Sequence, residues 1–243
     1  MADQIIKDRR LVIGAYDLSA CLKEFDLILK KEQKDNTCFL AEARSGKHGL
    51  ASAEASFSGF LNDSAGLTPS FIEGTWGDED AVMTACPHGA AVGAVAYILK
   101  SCMAEASLDQ AVGEMSAVSG AAYGNAQIAL PGNVLASGEK TATGNEDAVE
   151  LGAVATGKYL YAALHVTSLE GTDTPTITVK IQSDSSESFD SPTDRISFTA
   201  KTAVGEQWAT PVAGEITDTW WRAVITISGT NPAFDVYCSM AIQ

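Results

Sequence analysis

The side chains that most often carry chemistry are few and scattered. Three histidines, His48, His88 and His165, and five cysteines, Cys21, Cys38, Cys86, Cys102 and Cys238, stand in a chain of 243 residues. The cysteines are odd in number, widely spaced and free of any Cys-x-x-Cys pair, the pattern of free thiols in a chain that needs no staples. Cys86 and His88 flank Pro87 and come nearest to a metal constellation, but two ligands do not close a zinc site. There is no P-loop, GxSxG elbow, HExxH, EF-hand loop or GxGxxG turn. A nucleophilic triad would have to recruit one of the three histidines; His48 falls in a Gly-flanked loop and His165 in a strand-like run. Asp and Glu number 31, so some carboxylates must meet in space, yet no spacing marks an acid and base pair. No catalytic residue, cofactor or metal is expected, and a hydrolase with an unmarked carboxylate pair is the weakest of three functional classes.

Composition sets further bounds. Apolar residues make up 46% and charged residues 19%, which excludes a disordered tail and a charge-laced coiled coil. The net charge of −15 opposes binding through phosphate neutralisation and adhesion to anionic membranes. Residues 1–50 hold nine basic and eight acidic side chains and the remainder seven and 23, so the acidity is concentrated after residue 50. Met1 to Arg10 mixes acidic and basic residues and does not resemble a secretory signal, so folding in the cytoplasm is expected. The longest uncharged run, Met115 to Gly138, carries Ser, Asn, Gln, Pro and several Gly, so no membrane insertion is expected.

The elements that must position these residues are mostly strands. After about residue 150, short alternating apolar runs are separated by turn formers: Tyr159–Ser168, Thr176–Gln182, Arg195–Thr199, Trp220–Ser228 and Phe234–Met240. Ile177, Val179 and Ile181 share one face, as do Phe234, Val236, Cys238 and Met240. Two similar Gly-Thr-Asp/Asn segments, at 171–175 and 229–232, read as hairpin turns. If Trp220 and Trp221 lie in a strand they face opposite sides, one in the core and one exposed or at a contact. In the first 140 residues, Leu18 to Leu29 allows either an amphipathic helix or a strand with Phe25, Leu27 and Leu29 opposite Glu24 and Asp26. Ala53 to Gly59 alternates as a strand, and Asp78 to Ala85, capped by Asp78 and ended before Pro87, is the predicted helix. Strands are further expected at Ala94–Ala106, Val112–Ala121 and Ala126–Leu130. The turn-rich stretch 138–145 sets the expected boundary between a unit over 1–142 and one over 143–243.

Gly14-Ala-Tyr-Asp-Leu-Ser19, a charged strand, a long polar loop, Gly49-Leu50 and Ala53-Glu-Ala-Ser-Phe-Ser-Gly-Phe60 follow one another in an order that resembles the tail tube, or major tail, proteins of long-tailed bacteriophages. The match spans roughly residues 10 to 125 and rests on Asp17, Leu18, Ser19, Gly49, Leu50, Ser58, Gly59 and Phe60; Asn36 to Ala41 departs from the family's turn. The resemblance implies a mainly β fold, a tail-tube-type β-sandwich or barrel with one short helix at about 78–85, followed by a C-terminal antiparallel β-sandwich that decorates the ring or is integrated in its wall. It favours the strand over the helix at residues 22–32. It further implies hexameric rings stacked as a tube, partners among tape measure, tail tip and terminator proteins, a place in the virion, and passage of double-stranded DNA without specific binding.

On that resemblance Lys31, Lys34, Arg44 and Lys47, in the loop 31–47, are candidate ring-stacking residues, and Glu24, Asp26 and Glu54 are candidate lumen or ring-contact carboxylates. An acidic lumen repels phosphate within a Debye length of about 8 to 10 Å. The competing class is a virion-surface or glycan-binding β-sandwich that uses Trp220 or Trp221 with Tyr159 or Tyr161 as a stacking face.

Overall fold

The computed structural model describes residues 8–38, 43–60, 69–109, 114–125 and 129–243. Strands dominate it. The first are β1 (Arg10–Ile13), β2 (Tyr16–Asp17), β3 (Leu22–Asp35) and β4 (Gly46–Phe60), followed by the helix α1 (Pro69–Thr75) and then β5 (Ala81–Cys86), β6 (Val95–Asp109), β7 (Ala117–Gly124) and β8 (Leu130–Lys140). Then come β9 (Gly144–Asn145), β10 (Val149–Glu150), the long β11 (Tyr159–Asp184), β12 (Thr193–Ser197), β13 (Gly205–Trp208), β14 (Val212–Ala213) and the long β15 (Trp220–Ile242); β9 and β10 pair with β15, and β12, β13 and β14 with β11.

β6 divides its partners along its length. Residues 95–101 lie between β5 and β8, whereas residues 101–109 pair with β7, which leads on to β4 and β3. Two layers result, β1-β5-β6 and β3-β4-β7-β6, with a core between them. Ala53, Ala55 and Phe57 of β4, Val118 and Ala122 of β7 and Met103 of β6 meet Leu11, Ile13, Met83 and Leu99 from the other layer. Phe71 of α1 lies edge-on to Tyr16 at 5.4 Å and Phe57 at 5.9 Å. β3 is a strand, as the family pattern implies, because Phe25 and Leu27 alternate toward this core, while Leu29, on the same side, is 50% exposed.

The predicted helix at 78–85 is a strand. Asp78 Oδ1 accepts the backbone N–H of Asp80 at 2.9 Å, a local turn rather than a helix cap, and all six residues of β5 are buried between β1 and β6. A run apolar on both faces is what a central strand requires. The helix stands earlier. Pro69 suits a first turn because it lacks the N–H that would be unpaired there, Thr75 Oγ1 bonds back to Phe71 O at 2.7 Å, and Gly77 at φ +79° ends the excursion. The expected strand at 94–106 runs to Asp109, and that at 112–121 begins at Ala117; residues 126–128 of the third lie outside the described residues.

The two Gly-Thr-Asp/Asn segments are not hairpin turns. β11 and β15 pair antiparallel from Leu160↔Ile242 to Asp184↔Trp220, and the segments oppose each other midway, at register shifts. Positive φ at Gly171, Asp173, Thr174, Gly229 and Asn231 bends both strands together there. The ribbon folds over, so Leu164 and Val166 from one half share a core with Ile177, Val179 and Ile181 from the other. β8 links this layer to the rest: its start pairs with β6 and its length with β15, and a Cβ on Gly132 would come within 2.0 Å of Met240 O.

Candidate functional site

Cross-strand register decides what the β3-β4-β7-β6 sheet shows to solvent. Glu24, Asp26, Ile28 and Lys30 stand opposite Ser58, Ser56, Glu54 and Ser52; these face Ser119, Ala121 and Tyr123 of β7, which in turn face Ser107 and Glu105 of β6. The outer face therefore carries Glu24, Asp26, Glu54, Glu105 and Asp109 over a floor of Ser and Ala. Lys30, at 3.2 Å from Glu54 Oε2, is the cation of this row. Ser58 Oγ reaches Glu24 Oε2 at 3.5 Å. The centre of the face is an open concavity of about 610 Å³, with Trp76 at its β6 end. The sequence-predicted Glu24, Asp26 and Glu54 thus share one face. Glu105 and Asp109 were missed because a bulge between Met103 and Glu105 shifts the alternation of β6.

Both lateral edges of this sheet are open among the described residues. β3 pairs with β4 alone, along its whole length. On the far side, β6 is bridged by Gly77 N to Met103 O at 3.0 Å and Met103 N to Asp78 O at 2.9 Å, and no described strand covers it from Glu105 onward.

The predicted loop 31–47 is mostly strand. Lys31 to Asp35 end β3, Gly46 and Lys47 begin β4, residues 36–38 and 43–45 lie between the two strands, and 39–42 are outside the described residues. Residues 28–38 and 43–52 are exposed, so among the described residues the hairpin stands out as an arm; Leu50 is 84% exposed. Lys31, Lys34, Arg44 and Lys47 all lie on it. Lys34 and Lys47 are opposite in register, and Lys34 pairs with Glu32. Asp35 accepts the N–H of Thr37 at 2.9 Å, and bonds from the Thr37 hydroxyl and N–H hold its carboxyl below the usual range.

Trp221 is not an exposed aromatic. It is fully buried, and its indole N–H donates to Gly152 O at 2.8 Å; Trp220 is half-buried. The aromatic row that reaches the surface is Tyr159, Tyr161 and Trp208, with successive ring centroids 6.3 Å apart. Its inner members pack on Val82, Ile98 and Leu130.

His165 is buried in the middle of the chain, with Nδ1 2.8 Å from Gly14 O and Nε2 2.8 Å from Thr84 Oγ1. A carbonyl only accepts, so Nδ1 carries the proton and Nε2 accepts the Thr84 hydroxyl. Burial pushes its pKa down to about 4, so it is neutral and tied at both nitrogens, a structural pin between β11 and the β1–β2 turn. Cys86 is buried and burial raises its thiol to about 12, while its neighbour His88 is exposed. Among the described residues, no group of three or more His, Cys, Asp or Glu could hold a metal ion, and no helix is long and apolar enough to cross a membrane.

No family model matches the chain, and no curated protein matches it. Among solved structures it is similar to a chain of the virion of a native gene transfer agent particle, at 17% identity, TM-score 0.36, over 47% of this chain and 89% of that one. It is also similar to the SPP1 Dit protein, described as a paradigm of the hub adsorption apparatus in phages that infect Gram-positive hosts, at 12% identity, TM-score 0.38, over 98% and 100%. Likenesses this distant define neither a function nor an assembly.

Proposed function

We propose that this chain is a structural subunit of a bacteriophage tail whose copies close into rings that stack as a tube for double-stranded DNA. The observation that carries this reading is the β3-β4-β7-β6 sheet, open at both edges and acidic on its outer face. With four antiparallel strands, β3 and β6 run in opposite senses, so β6 of one copy can extend the ladder at β3 of the next. Rotational closure of such a head-to-tail contact removes the open edges that would otherwise template aggregation. The acidic face with Glu24, Asp26 and Glu54 then lines the bore and repels phosphate. The arm that bears Lys31, Lys34, Arg44 and Lys47 projects toward the next ring, which supplies the packing an isolated two-stranded hairpin lacks. The division into 1–142 and 143–243 is drawn from the turn-rich stretch 138–145; the larger C-terminal core also takes in Leu135 and Ala136 of β8, and Val82, Ile98 and Leu130 pack with Ala163 and Ala241 across the division. Hexameric closure, a place in the virion, and tape measure, tail tip and terminator partners come from the family resemblance.

The test is negative-stain electron microscopy with light scattering on the purified, concentrated protein. Hollow stacked rings are expected; a chain that stays monomeric at every concentration and ionic strength would refute self-assembly. A second reading, a glycan-binding surface module, rests on the Tyr159, Tyr161 and Trp208 row. Binding on a glycan array that is lost in Tyr159→Ala would favour it.

A further inference from the structure

Leu108 of β6 stands opposite Val118 of β7, and Leu29 of β3 stands opposite Ala53 of β4. Val118 and Ala53 are core residues, so Leu108 and Leu29 both lie on the core side of the β3-β4-β7-β6 sheet. They are nonetheless 43% and 50% exposed, each on an edge with no further described strand beyond it. With Phe25 and Leu27, Leu29 lines a groove of about 600 Å³ next to Tyr97. On the solvent side the same two edges carry Glu105, Ser107 and Asp109 on β6, and Glu24, Asp26, Ile28 and Lys30 on β3.

We infer that β6 of one copy pairs with β3 of the next in one register, with Leu108 opposite Leu29, Ser107 opposite Lys30 and Asp109 opposite Ile28; this rests on the ring reading above and names the residues of its lateral contact. Side-chain alternation requires core side to meet core side, so only slides by two residues compete. With Ser107 opposite Glu24, Glu105 meets Asp26; with Ser107 opposite Asp26, Asp109 meets Glu24; with Ser107 opposite Ile28, Asp109 meets Asp26. Each of these sets two carboxylates directly across from one another, which is destabilising. With Ser107 opposite Lys30, the Lys30 side chain, 61% exposed beside Glu54, lies diagonally between Glu105 and Asp109, and the two open leucines cover each other. Glu105 then faces the bulge between Lys31 and Gln33, where Glu32 is paired with Lys34.

The stagger is that of a closed barrel. Ser107 is in line with Ser119, Ser58 and Glu24 of its own chain, so meeting Lys30 of the next copy shifts the sheet by six residues, Glu24 to Lys30, for every four strands. At about 3.3 Å per residue and about 4.8 Å between strands, the strands tilt by about 45°, within the range of roughly 35–45° that barrels adopt. One slide further sets Leu108 against Lys31 and steepens the tilt to about 55°.

The experiment places cysteines on the solvent side of the two edges and leaves Leu29, Lys30, Glu105 and Leu108 in place, in a chain whose more accessible thiols are removed by Cys38→Ser and Cys102→Ser. After assembly and mild oxidation, Asp109→Cys combined with Ile28→Cys is expected to give a ladder of cross-linked oligomers on a non-reducing gel. It should form faster than with Ser107→Cys and Ile28→Cys, or with Ser107→Cys and Asp26→Cys, the pairs that two of the shorter slides bring together. A mixture of the Asp109→Cys and Ile28→Cys single variants should stop at dimers, and each alone should give none. Leu29→Asp, at an exposed position, should keep the melting temperature of the subunit and lose the rings. A faster ladder from either Ser107→Cys pair, or rings that form without any ladder or persist in Leu29→Asp, would overturn the register and leave the ring reading standing. Dimers from Asp109→Cys alone or Ile28→Cys alone would overturn it in favour of a two-fold contact between like edges. A chain that never forms rings removes both.

Discussion

Replacing His165 by Gln should remove a pH dependence that can be worked out from the surroundings of the imidazole. The ring is fully buried, and burial, the largest cause, lowers its pKa from 6.5 to about 4, against smaller opposing contributions from the Gly14 carbonyl bond and Asp17. In the unfolded chain the imidazole protonates near 6.5, so between 6.5 and about 4 the unfolded state binds the extra proton and the folded state does not. Stability is therefore fully present above 6.5 and falls as the pH drops toward 4. Between about pH 8 and pH 5 the loss amounts to about 2 kcal/mol. Asp235 and Glu206, raised chiefly by burial, act with the opposite sign, their stabilisation lost as pH rises through the folded pKa; they are present in both proteins and cancel in the difference. His165→Gln keeps a polar side chain near Thr84 and Gly14, and its cost at pH 8 should be about 1–3 kcal/mol. Urea denaturation of both proteins at several pH values, followed by tryptophan emission, should show the gap between them narrowing by about 2 kcal/mol on going to pH 5. Parallel curves across that range would mean the imidazole is solvated or already charged in the folded protein, and the structural pin would be refuted.

Phe71→Ala should cost about 3–5 kcal/mol, since the ring is 1% exposed between Phe57 and Tyr16, and a thermal melt measures it. Gly132→Ala should destabilise by about 1–3 kcal/mol or more because its Cβ would collide with the Met240 backbone, while Gly144→Ala, with nothing within 4 Å of that Cβ, should leave the melting temperature nearly unchanged. In the native protein a thiol reagent should label Cys38 first and leave Cys86 and Cys238, whose burial raises each to about 12, unlabelled until denaturant exposes all five. If Glu24, Asp26 and Glu54 line a bore, tubes of the triple Lys variant should retain short duplex DNA at low salt and release it as salt rises, whereas the unaltered tubes retain none; filter binding would show equal retention if the face points elsewhere.

Much of the local structure could be read from alternation alone. Ile177, Val179 and Ile181 are buried together, as are Phe234, Val236, Cys238 and Met240, and Trp220 and Trp221 divide between a half-buried and a buried side as a strand requires. These are period-two patterns in which each residue reports its own environment. The failures lie where one local signal serves two long-range arrangements. Asp78-Glu-Asp before an apolar run suits a helix start and equally a turn into a central strand; only β1 and β6 on either side of β5 decide it. Gly-Thr-Asn-Pro satisfies positive φ in a hairpin and equally in a bend shared by two strands, and the choice depends on which strand lies opposite. The open edges of β3 and β6, the acidic face they bound and the groove beside Phe25 exist only once pairing between segments far apart in sequence, such as Glu54 with Tyr123, has been made. Composition and alternation, properties of neighbours along the chain, determined that this protein is built of strands and strongly acidic. Which strands meet, and therefore which surface is left unpaired, was decided by backbone hydrogen bonds and burial between distant segments.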